Sequence, residues 1–232
     1  AGPAGVISAV TAAKRGHEVT LFEKSPRVGG NIVPGSVPKI KYEIRNYRLY
    51  LEHLLEQTVK EGNLSFKPDT AASSAMLKLQ NFDTIIFAAG TRPASLPLPG
   101  IEKVNAVNAT ELLMHPEKIG SAKRAVVIGG GVVGCEAAYW LHFEKGLEVT
   151  VVEMDRYIMN RTCTANRGHL IHYLERAGVP LLNCTRVTGF DKNEVIVAQN
   201  ISKTVPNPYV TWHPILPENV ENPLAPKLGN EP

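Results

Sequence analysis

Two glycine-rich turns, each followed at a matching distance by an acidic residue, constrain this 232-residue chain more than any other feature. One reads Val126-Val127-Ile128-Gly129-Gly130-Gly131-Val132-Val133-Gly134, with Val149-Thr150-Val151-Val152-Glu153 downstream. The other reads Ala1-Gly2-Pro3-Ala4-Gly5, with Glu18-Val19-Thr20-Leu21-Phe22-Glu23 downstream. Glu153 follows Gly134 by 19 positions and Glu23 follows Gly5 by 18. A strand that enters a glycine turn, opens a helix and returns as a second strand ending in an acid is the local plan of a dinucleotide-binding βαβ unit. A single occurrence is weak evidence, because a tight strand–helix turn favours glycine with or without a ligand. Two at matched spacing predict two dinucleotide sites.

The residue types suit that chemistry. A pyrophosphate needs backbone amides aimed at it and room for close approach. Gly129 permits the tight turn out of the strand, Gly131 leaves space for phosphates, and Gly134 lets helix and strand pack closely. The helix that opens there adds unpaired N–H groups and the positive end of its dipole. In the first motif Gly2 and Gly5 take the second and third roles, and Pro3 suits a first helical turn. Glu23 and Glu153 stand where a carboxylate accepts ribose hydroxyls. The charge of Glu153 would repel a 2′-phosphate, which favours NADH over NADPH. Arg156, three residues later, is either an opposing charge or a solvated loop residue.

Around these motifs the pattern alternates. Helix is predicted over 4–15, ending at Gly16, and over 42–61, where Ile44, Tyr47, Leu51, Leu54, Leu55 and Val59 recur at helical spacing before Gly62. Lys24 to Lys39 reads as a loop. Strands are predicted at 19–22, 64–66 and 84–88, the last being Thr84-Ile85-Ile86-Phe87-Ala88. The second half reads as strand 124–128, helix 132–145, strand 148–153, helix 165–177 and strand 179–184. A hairpin follows, 186–190 with 194–197, joined by Asp191-Lys192-Asn193. The three prolines between Arg92 and Gly100 mark a connector. The expected domains are 1–105, 106–200, and a Pro-rich segment 201–232 that cannot continue a helix or a central strand.

Composition narrows the partners. A net charge of +3 does not single out nucleic acid. No apolar run approaches the roughly 20 residues that span a bilayer. Cys135, Cys163 and Cys184 are far apart and form no CxxC, so neither a zinc site nor a disulfide framework is expected, and a reduced, cytoplasmic setting fits. His169 and His172 form an i, i+3 pair without acidic or thiol companions, which favours a surface role over a metal site. Trp212 and His213, in the Pro-rich segment, are candidates for a docking surface. The chain opens inside the first glycine motif, so it is expected to be a piece of a longer polypeptide.

A further set of motifs resembles a known family. Gly2-Pro3-Ala4-Gly5, Leu21-Phe22-Glu23-Lys24, Arg27-Val28-Gly29-Gly30 and Ile86-Phe87-Ala88-Ala89-Gly90-Thr91-Arg92-Pro93 resemble the FAD-half motifs of the two-dinucleotide flavoproteins, the pyridine nucleotide-disulfide oxidoreductase-like enzymes. Pro38-Lys39-Ile40-Lys41-Tyr42-Glu43-Ile44-Arg45 and the Pro-rich run with Trp212-His213-Pro214 are similar to the C-terminal portion of NADH:flavin oxidoreductases of the 2-enoate reductase and 2,4-dienoyl-CoA reductase type.

This resemblance implies an α/β fold of two Rossmann-like dinucleotide-binding domains, the FAD domain here lacking its first strand. It implies that Gly2, Gly5, Glu23, Gly29, Gly30 and the Ala89-Gly90-Thr91 turn contact FAD, and that Gly129, Gly131, Gly134 and Glu153 hold NADH. Glu136 matches the position that faces the nicotinamide; as a first-turn glutamate it is equally explained by the helix dipole. No cysteine precedes Cys135, so the family's redox-active thiols are missing, and Cys135 reads as small apolar packing. Electrons would therefore leave FAD for an N-terminal barrel carrying FMN and an iron–sulfur cluster, a partner on the same polypeptide outside these residues. Two rivals stand beside this reading. One is a non-catalytic ADP-binding domain like that of amine dehydrogenases. The other is a stand-alone NADH:acceptor reductase.

Overall fold

In the computed structural model the chain divides into two compact units, Ala1–Ala94 and Ser95–Pro232. All residues are described except 95, 193, 215, 218, 221, 224–226 and 230–232. Asn193 of the expected turn and Pro226 and Pro232 of the Pro-rich run lie outside the described residues.

The first unit is built on a βαβ-type pairing. Helix α1 (Pro3–Lys14) starts at a proline, whose missing N–H is no loss in a first turn. Its Val6, Ala9, Val10 and Ala13 recur every three or four positions and are buried. Strand β1 (Val19–Phe22) follows. After a short helix α2 (Ile32–Gly35), α3 (Tyr42–Glu61) lays Leu51 and Leu55 into the core formed with α1. Strand β2 (Leu64–Lys67) then pairs parallel to β1, Val19 opposite Leu64. The apolar stripe of α3 is narrower than its sequence suggests, since Tyr47 and Val59 are exposed. Helix α4 (Ser74–Leu79) is nucleated by Ser73, whose hydroxyl accepts the Met76 amide at 3.2 Å.

One expectation fails here. Residues 84–88 form no strand, and Ile85, Ile86 and Phe87 are 44%, 63% and 85% exposed. A strand exists only when a neighbour takes its N–H and C=O groups, and among the described residues none lies alongside. The supposed loop 24–39 also contains α2.

In the second unit a short helix α5 (Ala109–Met114), capped by Asn108, precedes the main sheet. Strand β3 (Arg124–Ile128), helix α6 (Val132–Tyr139), strand β4 (Glu148–Val152), helix α7 (Thr164–Arg176) and strand β5 (Leu181–Leu182) give a parallel sheet in the order β3-β4-β5. Helix α6 runs on as one π-helical turn, Trp140–Glu144, in which the Lys145 amide reaches back five residues to the Trp140 carbonyl. The strand expected over 179–184 keeps only its two middle residues. Cys184 adopts φ +46°, which takes the chain out of the extended conformation. An antiparallel hairpin of β6 (Thr185–Asp191) and β7 (Glu194–Gln199) completes the unit. The expected α/β class, with parallel strand–helix–strand units, is the one that forms. Among the described residues no helix is long and apolar enough to cross a membrane.

Candidate functional site: two glycine turns clamped by glutamates

In the second unit β3 runs into Gly129, whose φ of +102° turns the chain and whose amide donates to the Val152 carbonyl at 2.8 Å. Gly131 is extended and caps α6 with no side chain, and a Cβ there would meet nothing within 4 Å. The first-turn amides of α6 thus have neither an intrahelical acceptor nor a capping side chain, and the space in front of Gly131 is open. At Gly134 the packing is tight instead: a Cβ would lie 1.8 Å from the Gly129 carbonyl oxygen.

Glu153, one residue past β4, faces this turn. Its Oε2 accepts the Gly130 amide at 2.7 Å and its Oε1 accepts the Asp155 amide at 2.7 Å. The Gly130 carbonyl in turn accepts the Met159 amide at 2.7 Å. A carboxylate and an amide-lined turn are therefore held face to face.

The first unit repeats the arrangement. Glu23 Oε1 accepts the Ser25 amide at 2.9 Å, the other carboxylate oxygen pairs with the Ala1 amino group, and the Ala1 carbonyl accepts the Gly29 amide at 2.8 Å. Ala1 stands where Gly130 stands in the second unit, Ser25 where Asp155 stands, and Gly29 where Met159 stands. Gly30 lies against Gly2, with a Cβ on it only 3.0 Å from the Gly2 Cα. Gly5 sits between Leu21 and Ala88. Asn31 Nδ2 donates to the Thr91 carbonyl at 3.0 Å, which ties the Ala89-Gly90-Thr91 turn to the same cluster.

The structure thus gathers Gly2, Gly5, Glu23, Gly29, Gly30 and Thr91 in one unit, and Gly129, Gly131, Gly134 and Glu153 in the other. Glu136 sits half-buried on α6. Beside it Cys135 is fully buried. Burial pushes its thiol up to about 12, with Glu153 and Glu136 adding to the shift, so no nucleophilic thiolate is available there. Sequence reasoning missed the Ser25 and Asp155 amides, and it missed Arg167, described below. Backbone donors leave no mark in residue type.

The chain matches the model of the pyridine nucleotide-disulphide oxidoreductase family over residues 1–212. It belongs to this family. FAD and NAD(P)H are the family's cofactors. Open space at Gly131 and a carboxylate braced on the Gly130 amide fit a dinucleotide in the second unit. Among curated relatives, a cinnamate reductase of Clostridium sporogenes is 39% identical over 177 residues, 75% of this chain and 25% of the relative. A bilirubin reductase of Mediterraneibacter gnavus is 36% identical over 84% of this chain and 29% of its own length. The chain therefore spans about a quarter of the length of such relatives. A solved 2-naphthoyl-CoA reductase superposes with a TM-score of 0.78 at 24% identity, over 86% of this chain and 29% of that one, which shows the shared fold.

Proposed function

We propose that the chain is the NADH-oxidising, FAD-containing portion of a multidomain flavin oxidoreductase of the enoate or dienoyl-CoA reductase type. The observation that carries this reading is the pair of matched glutamates: each accepts the amide two residues beyond itself, and Glu153 also accepts the Gly130 amide of the glycine turn it faces. Residues 1–105 are assigned to FAD and 106–200 to NAD(H). When both are bound, the nicotinamide supplies a hydride and the flavin accepts it. The chain's own work is positional. Gly129 and Gly131 bring α6's first-turn amides to the pyrophosphate, and Glu153 takes the ribose hydroxyls and discriminates against a 2′-phosphate. Gly2, Gly5, Glu23, Gly29, Gly30 and the Ala89-Gly90-Thr91 turn hold the FAD, and Glu136 borders the nicotinamide end.

Electrons then pass to a partner domain carrying FMN and an iron–sulfur cluster. Support for that step comes from the thiols. No cysteine lies in the FAD-assigned unit, and Cys135 is too buried and too basic to serve. The three free thiols also favour a reducing, cytoplasmic setting. The test is anaerobic titration of the full-length protein with NADH, following flavin absorbance. Bleaching supports this reading. Tight ADP binding without bleaching would replace it with a nucleotide-binding domain of no redox role.

A further inference from the structure

The segment between Glu153 and α7 is bonded to the Glu153–Gly130 pair at two points, Asp155 and Met159, and so borders the Glu153 carboxylate; its residues 156–159 lack regular structure. Met159 and Arg161 hold φ values of +51° and +61°, a conformation side chains disfavour, so the loop needs outside support to keep its shape. That support falls on four consecutive residues. The Arg156 carbonyl accepts Asn183 Nδ2 at 2.8 Å, and the same nitrogen donates to the Pro206 carbonyl at 2.9 Å. The Tyr157 ring stacks on His213, centroids 4.3 Å apart and planes 19° apart. The Ile158 carbonyl accepts Nε of Arg167 at 2.9 Å. Met159 is bonded to Gly130, as above.

Arg167 is 2% exposed on α7, and its guanidinium carbon lies 5.9 Å from the Tyr157 centroid. The Tyr157 ring therefore meets Arg167 and His213, and His213 comes from the Pro-rich segment. That segment is fastened farther along the unit as well, by the Tyr209 hydroxyl donating to the Val179 carbonyl at 2.9 Å.

We propose that the Pro-rich segment is a strap that positions the adenosine end of the dinucleotide, acting through the His213–Tyr157 stack and Arg167 on the loop that walls Glu153. The inference rests on the nucleotide reading of the second unit. His213 and Arg167 are positioning residues: the strap shapes the wall and leaves the glycine turn and Glu153 themselves untouched. Adenosine affinity should depend on it, and the rate at saturating NADH should not.

The experiment uses the full-length protein and measures Kd for ADP alongside the saturating rate of flavin reduction by NADH. His213→Ala is expected to raise the ADP Kd about fivefold, the worth of one aromatic stack. The saturating rate should stay within about twofold of wild type. His213→Phe, which keeps a flat ring, should restore ADP affinity, a rescue that general destabilisation would not produce. Wild-type ADP affinity in His213→Ala overturns the strap, as does an equal loss in His213→Phe and His213→Ala. Wild-type protein that binds no ADP at all overturns the nucleotide reading itself, a result distinct from the other two.

Discussion

The Glu153 carboxylate accepts the Gly130 amide at 2.7 Å, so the acid at the end of β4 and the middle of the glycine turn are one hydrogen-bonded unit. Each carboxylate oxygen carries one backbone bond and keeps a lone-pair direction for another donor. On the proposed reading, an acceptor for ribose hydroxyls is thus set in place before a ligand arrives, with little side-chain ordering left to do.

Replacing Glu153 by Gln tests this directly. An amide nitrogen would then face one of the two backbone N–H groups, and the repulsion toward a 2′-phosphate would vanish. Kd for NADH is expected to rise about tenfold and the preference over NADPH to shrink. Unchanged affinity for both cofactors would remove Glu153 from the site.

Gly131 and Gly134 should separate ligand space from packing space. A methyl at Gly131 meets nothing, and its φ of −72° suits any residue, so Gly131→Ala is expected to melt with wild type, within about 0.5 kcal/mol. It should nevertheless lose nucleotide affinity, because the methyl fills the room assigned to phosphates. Gly134→Ala drives a methyl into the Gly129 carbonyl and is expected to destabilise the unit by about 3 kcal/mol or more. Thermal melting and ADP titration of both variants read the difference.

The thiols should rank by exposure. Cys163 is exposed, while burial raises both Cys135 and Cys184. Iodoacetamide at about pH 8 is expected to label Cys163 first, and labelled full-length protein should still be reduced by NADH. Peptide mapping that finds Cys135 modified, together with lost reduction, would contradict a thiol-independent electron path.

Acid should loosen the strap. Burial and the nearby Arg167 lower the His213 pKa below its ordinary value of 6.5, against the opposing bond to the Pro214 carbonyl. Because the folded value is the depressed one, the ring's contribution is complete above pH 6.5 and is lost as pH falls through the folded value. The groups that face the ring are Tyr157 and Arg167. Melting at about pH 7.5 and about pH 5.5 should show an acid-side loss that is smaller in His213→Phe.

Much of this was legible in residue order. Leu51 and Leu55 on α3, the β-branched run of β4, and the two turn-plus-acid motifs declare themselves by spacing, because their burial follows from local geometry alone. What stayed hidden depends on distant neighbours. Residues 84–88 have the composition of a strand, but composition cannot supply the neighbour a strand needs. Helices α4 and α5 are six residues each, too short to show a period, although Ser73 and Asn108 stood ready as caps. Arg167 looks like any surface arginine until the Tyr157 loop and the Pro-rich segment close over it.

The π-helical turn at Trp140–Glu144 accounts for the mismatch of one between the two glycine-to-acid spacings. Gly134 stands 129 positions after Gly5, whereas Gly146 stands 130 after Gly16 and Glu153 stands 130 after Glu23. The surplus residue therefore lies between Gly134 and Gly146, where the widened turn holds it. If the two halves descend from one ancestral gene segment, a single codon was gained in the second copy or lost from the first after they parted. The wider turn absorbs the difference locally, leaving both the start of the helix and the strand beyond it in register. Removing one residue from 140–144 should accordingly return the turn to α-helical spacing and leave β4 in register.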